Sequence, residues 1–198
     1  MRKSLSIFKH KKGLCIPIDS LLLIILTGIV FLFSYLEQTG NFDFGYCLTF
    51  FLSIWLIYFI SYLISRFFLY ELEHGEYGGK LLLKESSISI NKIEYDLEEI
   101  KNIKIHSTDI RGEFIGYTYE FSRKLSNGLK NNIVITLKNG KIIDIYFLQT
   151  EREKIKSSKK ELINYYKNGK FSWLHLLDIL EITDYDKIQI FKKEINND

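Results

Sequence analysis

The chain has 198 residues, of which 46% are hydrophobic, 15% aromatic and 26% charged, with a net charge of +3. It contains no alanine, only Val30 and Val134 as valines, and only Cys15 and Cys47 as cysteines. This composition suits the biased coding of an AT-rich bacterial genome. Two cysteines exclude a disulfide framework, and a structural zinc site, which needs about four ligands, is excluded with it.

Residues 1–17 form a basic N-terminal segment, read as cytoplasmic, that carries Arg2, Lys3, Lys9, Lys11 and Lys12. Residues 18–70 follow as a membrane hairpin. Between Ile18 and Tyr70 the formal charges are Asp19, Glu37, Asp43 and Arg66. The run from Ile18 to Leu36 covers roughly 28 Å as a helix, against a hydrocarbon core of about 30 Å. A second run spans Phe44 to Ile64, and Arg66 beyond it is expected to snorkel to the headgroups. The intervening polar turn has no Lys or Arg, so the positive-inside rule puts both ends of the hairpin in the cytoplasm. A cleaved signal peptide is the rival reading of the first run, but no small-residue cleavage site follows it.

Asp19 or Ser20 is expected to cap the first helix, with Pro17 just outside. Small polar residues recur at Ser20, Thr27 and Ser34, and at Gly45, Thr49 and Ser53. Such spacing suits close helix approach, within the hairpin or along a homo-oligomer seam.

Residues 71–79 are polar and glycine-bearing, and read as a linker. From Lys80 the apolar period becomes two: Leu81 and Leu83, Ile88 and Ile90, Ile93 and Tyr95, then Ile100, Ile103 and Ile105. A further strand is expected over Phe114 to Phe121. Ile133, Ile135 and Leu137 precede Asn139-Gly140, and Ile143, Ile145 and Phe147 follow it, a strong hairpin signal. The period then shifts to that of a helix capped at Thr150, with Glu153 completing a capping box and Asn168-Gly169 as the stop. The fold class is therefore a membrane α-hairpin plus a mostly-β (α+β) domain over residues 80–168, a seven-strand barrel or sandwich closed by a C-terminal helix. Residues 169–198 form a tail, with a helix capped by Ser172 and an alternating stretch from Lys187 to Lys193 that suggests an added edge strand.

Leu81 to Ile90, Ile93-Glu-Tyr-Asp-Leu-Glu-Glu-Ile100, Ile133-Val-Ile-Thr-Leu-Lys-Asn-Gly140 and the closing helix together resemble the bacterial pleckstrin-homology-like domains of small membrane proteins with a two-helix N-terminal anchor. The resemblance implies a seven-strand, one-helix domain acting as a membrane-proximal scaffold, with no catalytic residue. It carries over no lipid-binding motif.

His10, His74, His106 and His175 are scattered, and no phosphate loop, nucleophile elbow or zinc-protease motif is present. No cofactor, metal or catalytic residue is expected, and nucleic-acid binding would need a larger uncompensated basic patch than Lys154 to Lys160 provides. The expected function is a non-enzymatic inner-membrane protein that binds a protein partner, with Tyr117, Tyr119, Phe121 and Trp173 as the contact surface. The alternatives are a membrane-embedded immunity protein that neutralises a toxin through the hairpin, a binder of lipid or a small ligand, and a homo-oligomeric transporter or channel.

Overall fold

The computed structural model describes residues 4–13, 16–40, 45–116 and 121–197, the side chains of Glu153 and Asn197 excepted. The chain forms two compact units. One comprises residues 1–11, 73–113 and 126–198, and the other residues 12–72 and 114–125.

The first unit is built on a seven-stranded sheet. Its strands are β1 (Leu5–His10), β2 (Gly75–Leu83), β3 (Ser87–Ile90), β4 (Ile93–Asp96), β5 (Ile100–His106), β6 (Asn131–Leu137) and β7 (Ile142–Leu148), in the spatial order β4-β3-β2-β1-β7-β6-β5. Every neighbouring pair is antiparallel. Strands β3 to β7 coincide with the isoleucine-rich runs. In β6, Ile133, Ile135 and Leu137 point into the core while Asn132, Val134 and Thr136 alternate outward, the pattern of a strand with one buried face.

Strand β1 corrects the reading of residues 1–17 as a mere basic flank. It lies at the centre of the sheet, with Leu5 opposite Leu81 on one side and Ile7 opposite Phe147 on the other. Leu5 and Ile7 are buried, which explains why this short segment is held. The expected linker 71–79 is also partly strand, because β2 starts at Gly75. The register slips between Ser6 and Phe8, so Gly78-Gly79 forms a bulge in β2. Gly79 has φ +117°, and a Cβ there would collide with the Asn91 side chain. Only glycine fits.

Between Asn139 and Gly140 the chain turns from β6 into β7 as expected, with Gly140 at φ +86°. Among the described residues, the expected strand from Phe114 to Phe121 does not join the sheet. Phe114 forms an isolated bridge to Leu125 and stacks on Phe67, within the second unit. The excursion leaves the sheet unit through a buried polar base, where Asn131 donates to the carbonyls of Asp109 (2.6 Å) and Gly128 (3.0 Å), and Gln149 donates to that of Ser107.

Helices follow β7. The single helix expected from Thr150 to Asn168 is two, α3 (Glu153–Lys156) and α4 (Lys159–Lys167), ending at Gly169 with φ +68°. The next helix, α5 (Trp173–Leu180), is capped as expected by Ser172, whose hydroxyl accepts from the His175 N–H. The stretch Lys187 to Lys193, expected as an edge strand, lies inside a helix, α6 (Tyr185–Asn197). Phe191 and Ile195 are buried on its inner face and Ile188 packs beside them, a spacing of three, four and seven residues that fits a helix rather than a strand. The core joins sheet residues such as Ile88, Ile103 and Ile135 to Leu162, Tyr165, Leu176 and Phe191 of the helices.

The two edges of the sheet differ. Beside β5, the Ile103 N–H donates to the Lys170 carbonyl at 2.9 Å, the Ile105 N–H to His175 Nε2 at 2.9 Å, and Lys170 Nζ to the Ile100 carbonyl at 2.8 Å. That edge is covered. At the other edge lies β4, joined to β3 by the two-residue turn Asn91-Lys92, both at positive φ. A turn of this kind makes Ile90–Ile93 and Ile88–Tyr95 the hydrogen-bonded pairs, so the N–H groups of Glu94 and Asp96 and the Glu94 carbonyl point away from β3.

The second unit is a helical hairpin of α1 (Ile18–Gln38) and α2 (Gly45–Ser65), each 21 residues and apolar enough to cross a membrane. The helices run antiparallel, since Ser20 meets Tyr62, Thr27 meets Trp55 and Phe33 stacks on Phe51. Their outer faces, including Ile24, Phe31, Leu32, Leu56 and Ile57, are exposed.

Candidate functional site

Helix α1 begins at Pro17, whose extended backbone serves as N-cap while its carbonyl accepts from the N–H groups of Ser20 and Leu21. Neither Asp19 nor Ser20 caps the helix as expected. Both side chains are used instead at the base of the hairpin. After Ser65 the chain continues in tight turns, with the Arg66, Phe67 and Phe68 N–H groups bonded to carbonyls three residues back. It then pairs with residues 124–125: Lys124 N–H donates to the Arg66 carbonyl, Leu125 N–H to Leu69 and Glu71 N–H to Leu125. This pairing delivers Arg123.

The result is an ion cluster. Arg66 Nη2 lies 2.8 Å from Asp19 Oδ2, and Arg123 Nη2 lies 3.5 Å from the same oxygen. The expectation that Arg66 snorkels outward is corrected, because its side chain is only 3% exposed and its guanidinium sits 3.7 Å from the centroid of the Tyr62 ring. Arg66 also donates to Ser20 Oγ at 3.3 Å, and Ser20 Oγ shares a 3.0 Å hydrogen bond with the Tyr62 hydroxyl. Tyr58 donates its hydroxyl to the Asp19 carbonyl, and Arg123 donates to that of Tyr70. A buried guanidinium is tolerated only when paired, and here one carboxylate, one aromatic face and one hydroxyl hold it. Two guanidiniums against one carboxylate leave the trio with an excess positive charge. Nε of Arg66 and Nε of Arg123 are buried without a hydrogen bond.

Beside the cluster runs an open groove of about 630 Å³, walled by Ile16, Ile18, Leu22, Leu69 and Leu72, with Asp19, Tyr58 and Arg123 at its polar end. Such an arrangement can bind an anion next to an apolar body. Among the described residues, no Ser, Cys or His lines the groove, and no group of three or more His, Cys, Asp or Glu converges on a point.

The residues singled out in the sequence are placed as follows. Tyr117 and Tyr119 lie outside the described residues. Phe121 is exposed and belongs to the helical unit, whereas Trp173 belongs to the sheet unit, half-buried between Tyr166 and Phe191, each with its ring centroid 5.6 Å away. Trp173 thus packs against both rings and also lines a surface pocket with Lys192 and Asn196, in a different unit from Phe121. Ser20 and Thr27 face α2, Thr27 accepting from the Trp55 indole at 2.9 Å, and Ser34 is half-buried. Thr49 and Ser53 are exposed, and their hydroxyls donate to carbonyls four residues back, at Gly45 and Thr49. The stripe on α2 is thus not the packing face of the hairpin. That face is aromatic: Phe51, Trp55, Tyr58 and Tyr62.

Sequence reasoning missed Arg123 and the pairing of Asp19 with Arg66. A signal for the pair existed, since in an antiparallel hairpin the two residues lie at the same distance from the connecting turn. Comparison with protein-family models, curated proteins and solved structures finds no match to this chain.

Proposed function

We propose that the chain is a two-span protein of a bacterial inner membrane whose sheet unit is a pleckstrin-homology-like, non-enzymatic interaction module that receives a protein partner on the cytoplasmic side. The exposed Ile, Leu and Phe faces of α1 and α2 support the membrane assignment, being far more apolar than a soluble surface tolerates. Strands β1 and β2, which precede and follow the hairpin, pair with each other, and this supports both ends emerging on one side. The lysines at positions 9, 11 and 12 favour the cytoplasm. The family resemblance implies seven strands and a closing helix over residues 80–168; the antiparallel sheet followed by helices supports it, with β1 supplying the seventh strand from outside that range.

The observation that carries the partner reading is the asymmetry of the sheet edges. Strand β5 is covered by Lys170 and His175, while β4 directs the backbone N–H groups of Glu94 and Asp96 outward beside the 59%-exposed Ile93. An open edge of this kind takes up an extended segment of a partner as an added strand. Glu94→Pro removes the outward N–H without touching a β3–β4 hydrogen bond. Crosslinking of the full-length protein in its own membranes should capture a partner at β4, and Glu94→Pro should lose it at unchanged thermal stability. Capture that survives Glu94→Pro, or that maps only to the outer faces of α1 and α2, would reject this reading and favour the immunity alternative.

A further inference from the structure

The ion cluster and its groove have no part in strand addition at β4. We infer that the groove beside Arg123 is a binding site for one anionic glycerophospholipid, its phosphate on the Arg123 guanidinium and an acyl chain along Leu22, Leu69 and Leu72. The inference rests on the membrane assignment above.

The charge argues for an anion. Asp19 is held closely by Arg66 at 2.8 Å and only loosely by Arg123 at 3.5 Å, and Arg123 is the one of the two guanidiniums that lines the groove. Within the cluster two guanidiniums stand against one carboxylate. The Arg123 side chain is 19% exposed, against 3% for Arg66, so its guanidinium is the one that a ligand in the groove can reach. Guanidinium matches phosphate oxygens in a planar fork, which a single ammonium cannot do.

The walls argue for a lipid rather than a free ion. Ile16, Leu22, Leu69 and Leu72 offer nothing to inorganic phosphate, but they suit the glycerol and upper acyl region of a phospholipid. Pro17 and Asp19 mark where the apolar helix α1 starts, the level at which headgroups lie against a spanning helix. Anion, apolar body and depth agree on one ligand class.

The test uses full-length protein released from nanodiscs containing equal phosphatidylglycerol and phosphatidylcholine, with retained lipid counted by native mass spectrometry. Wild type should keep one phosphatidylglycerol at about fivefold preference, the factor that one cation near an anionic surface supplies. Arg123→Gln should reduce the preference to near unity, whereas Lys12→Gln, a juxtamembrane charge outside the groove, should leave it unchanged. Should Arg123→Gln fail to fold, Leu72→Glu places a negative charge on the exposed wall and should abolish the preference equally. A wild type without preference, an unaffected Arg123→Gln, equal loss in Lys12→Gln, or displacement of the lipid by millimolar inorganic phosphate would each overturn the proposal. Flotation of the same protein with carbonate-washed vesicles separates the two readings: protein that floats but shows no preference rejects the lipid site alone, and protein that fails to float rejects the membrane assignment with it.

Discussion

Asp19 in the first turn of α1 and Arg66 just beyond α2 form a 2.8 Å ion pair that ties the two open ends of the helical hairpin together. The arginine is almost fully buried, and the Tyr62 ring covers one face of it. The same carboxylate also faces Arg123. The hairpin is therefore closed at its base by charge and along its length by aromatic packing.

Removing the cation should be costly. Arg66→Met leaves the Asp19 carboxylate with its more distant partner alone, and we expect a loss of about 3 kcal/mol, the lower end for breaking a buried pair, because Asp19 is partly exposed. Unfolding of the full-length protein in detergent by titrated SDS reads this directly. Asp19→Asn combined with Arg66→Met should cost less than the sum of the single changes, the mark of a coupled pair.

The hydroxyl of Tyr165 donates toward the carbonyls of Lys84 (2.7 Å) and Ser87 (3.1 Å) and accepts from the Lys84 N–H. Burial pushes its ionisation well above the ordinary tyrosine range, so it stays neutral at any working pH. Tyr165→Phe should lower stability by about 1–3 kcal/mol, because the Lys84 carbonyl loses its hydroxyl donor without the core losing volume, while the Lys84 N–H keeps the Ser87 carbonyl at 3.0 Å. A reduced denaturant midpoint at unchanged slope would show it.

His175 gives the protein a defined acid response. Its Nε2 accepts from the Ile105 N–H, which only an unprotonated nitrogen can do. Burial holds its pKa below the ordinary histidine value, Asp178 opposes that shift, and Lys104 adds to it. The unfolded chain binds the proton more readily, so the contribution is complete above about pH 6.5 and is lost progressively as the pH falls from there toward the folded-state value. The thermal midpoint should drop as the pH falls below about 7, and His175→Gln, which keeps an acceptor but cannot titrate, should flatten that drop. Equal slopes would assign the acid response to another group.

The sheet unit should be separable only along its own seams. Joining Lys11 to His74 through Asn-Gly, and Glu113 to Ser126 through a second short turn, keeps all seven strands; the first join is favoured because Lys11 N–H already donates to the His74 carbonyl at 2.7 Å. This chain should be soluble, with a β-type circular dichroism spectrum and cooperative unfolding. Residues 80–198 alone lack β1 and half of β2, and should aggregate.

Strands β3, β5, β6 and β7 are legible in the sequence because apolar residues, mostly isoleucines, alternate on the face they turn to the core, β4 follows β3 through the Asn91-Lys92 turn, and the Asn139-Gly140 turn fixes one register. Strand β1 is not, since Leu5-Ser-Ile-Phe-Lys-His is short, precedes a basic flank, and finds its partners only after the hairpin has intervened. The count of seven is reached in sequence by including Phe114 to Phe121, while the structure reaches it with residues 5–10. In α6, Ile188 and Ile190 alternate like a strand, and only Phe191 and Ile195 reveal the helical face. At the candidate site, Asp19 and Arg66 can be matched by depth, but Arg123 arrives through the pairing of residues 124–125 with the chain after α2, which no local pattern announces.

The central position of β1 also sets an order of events during synthesis. It is synthesised before the hairpin, yet its neighbour β7 follows on the order of ten seconds later at usual translation rates. On the two-span reading, both helices must enter the bilayer within that interval. A chain whose first helix inserted in the wrong sense would carry β1 to the far side, leaving β2 and β7 as raw edges with no strand between them. Such edges invite aggregation and proteolysis, so on the two-span reading a complete sheet requires a correctly inserted hairpin.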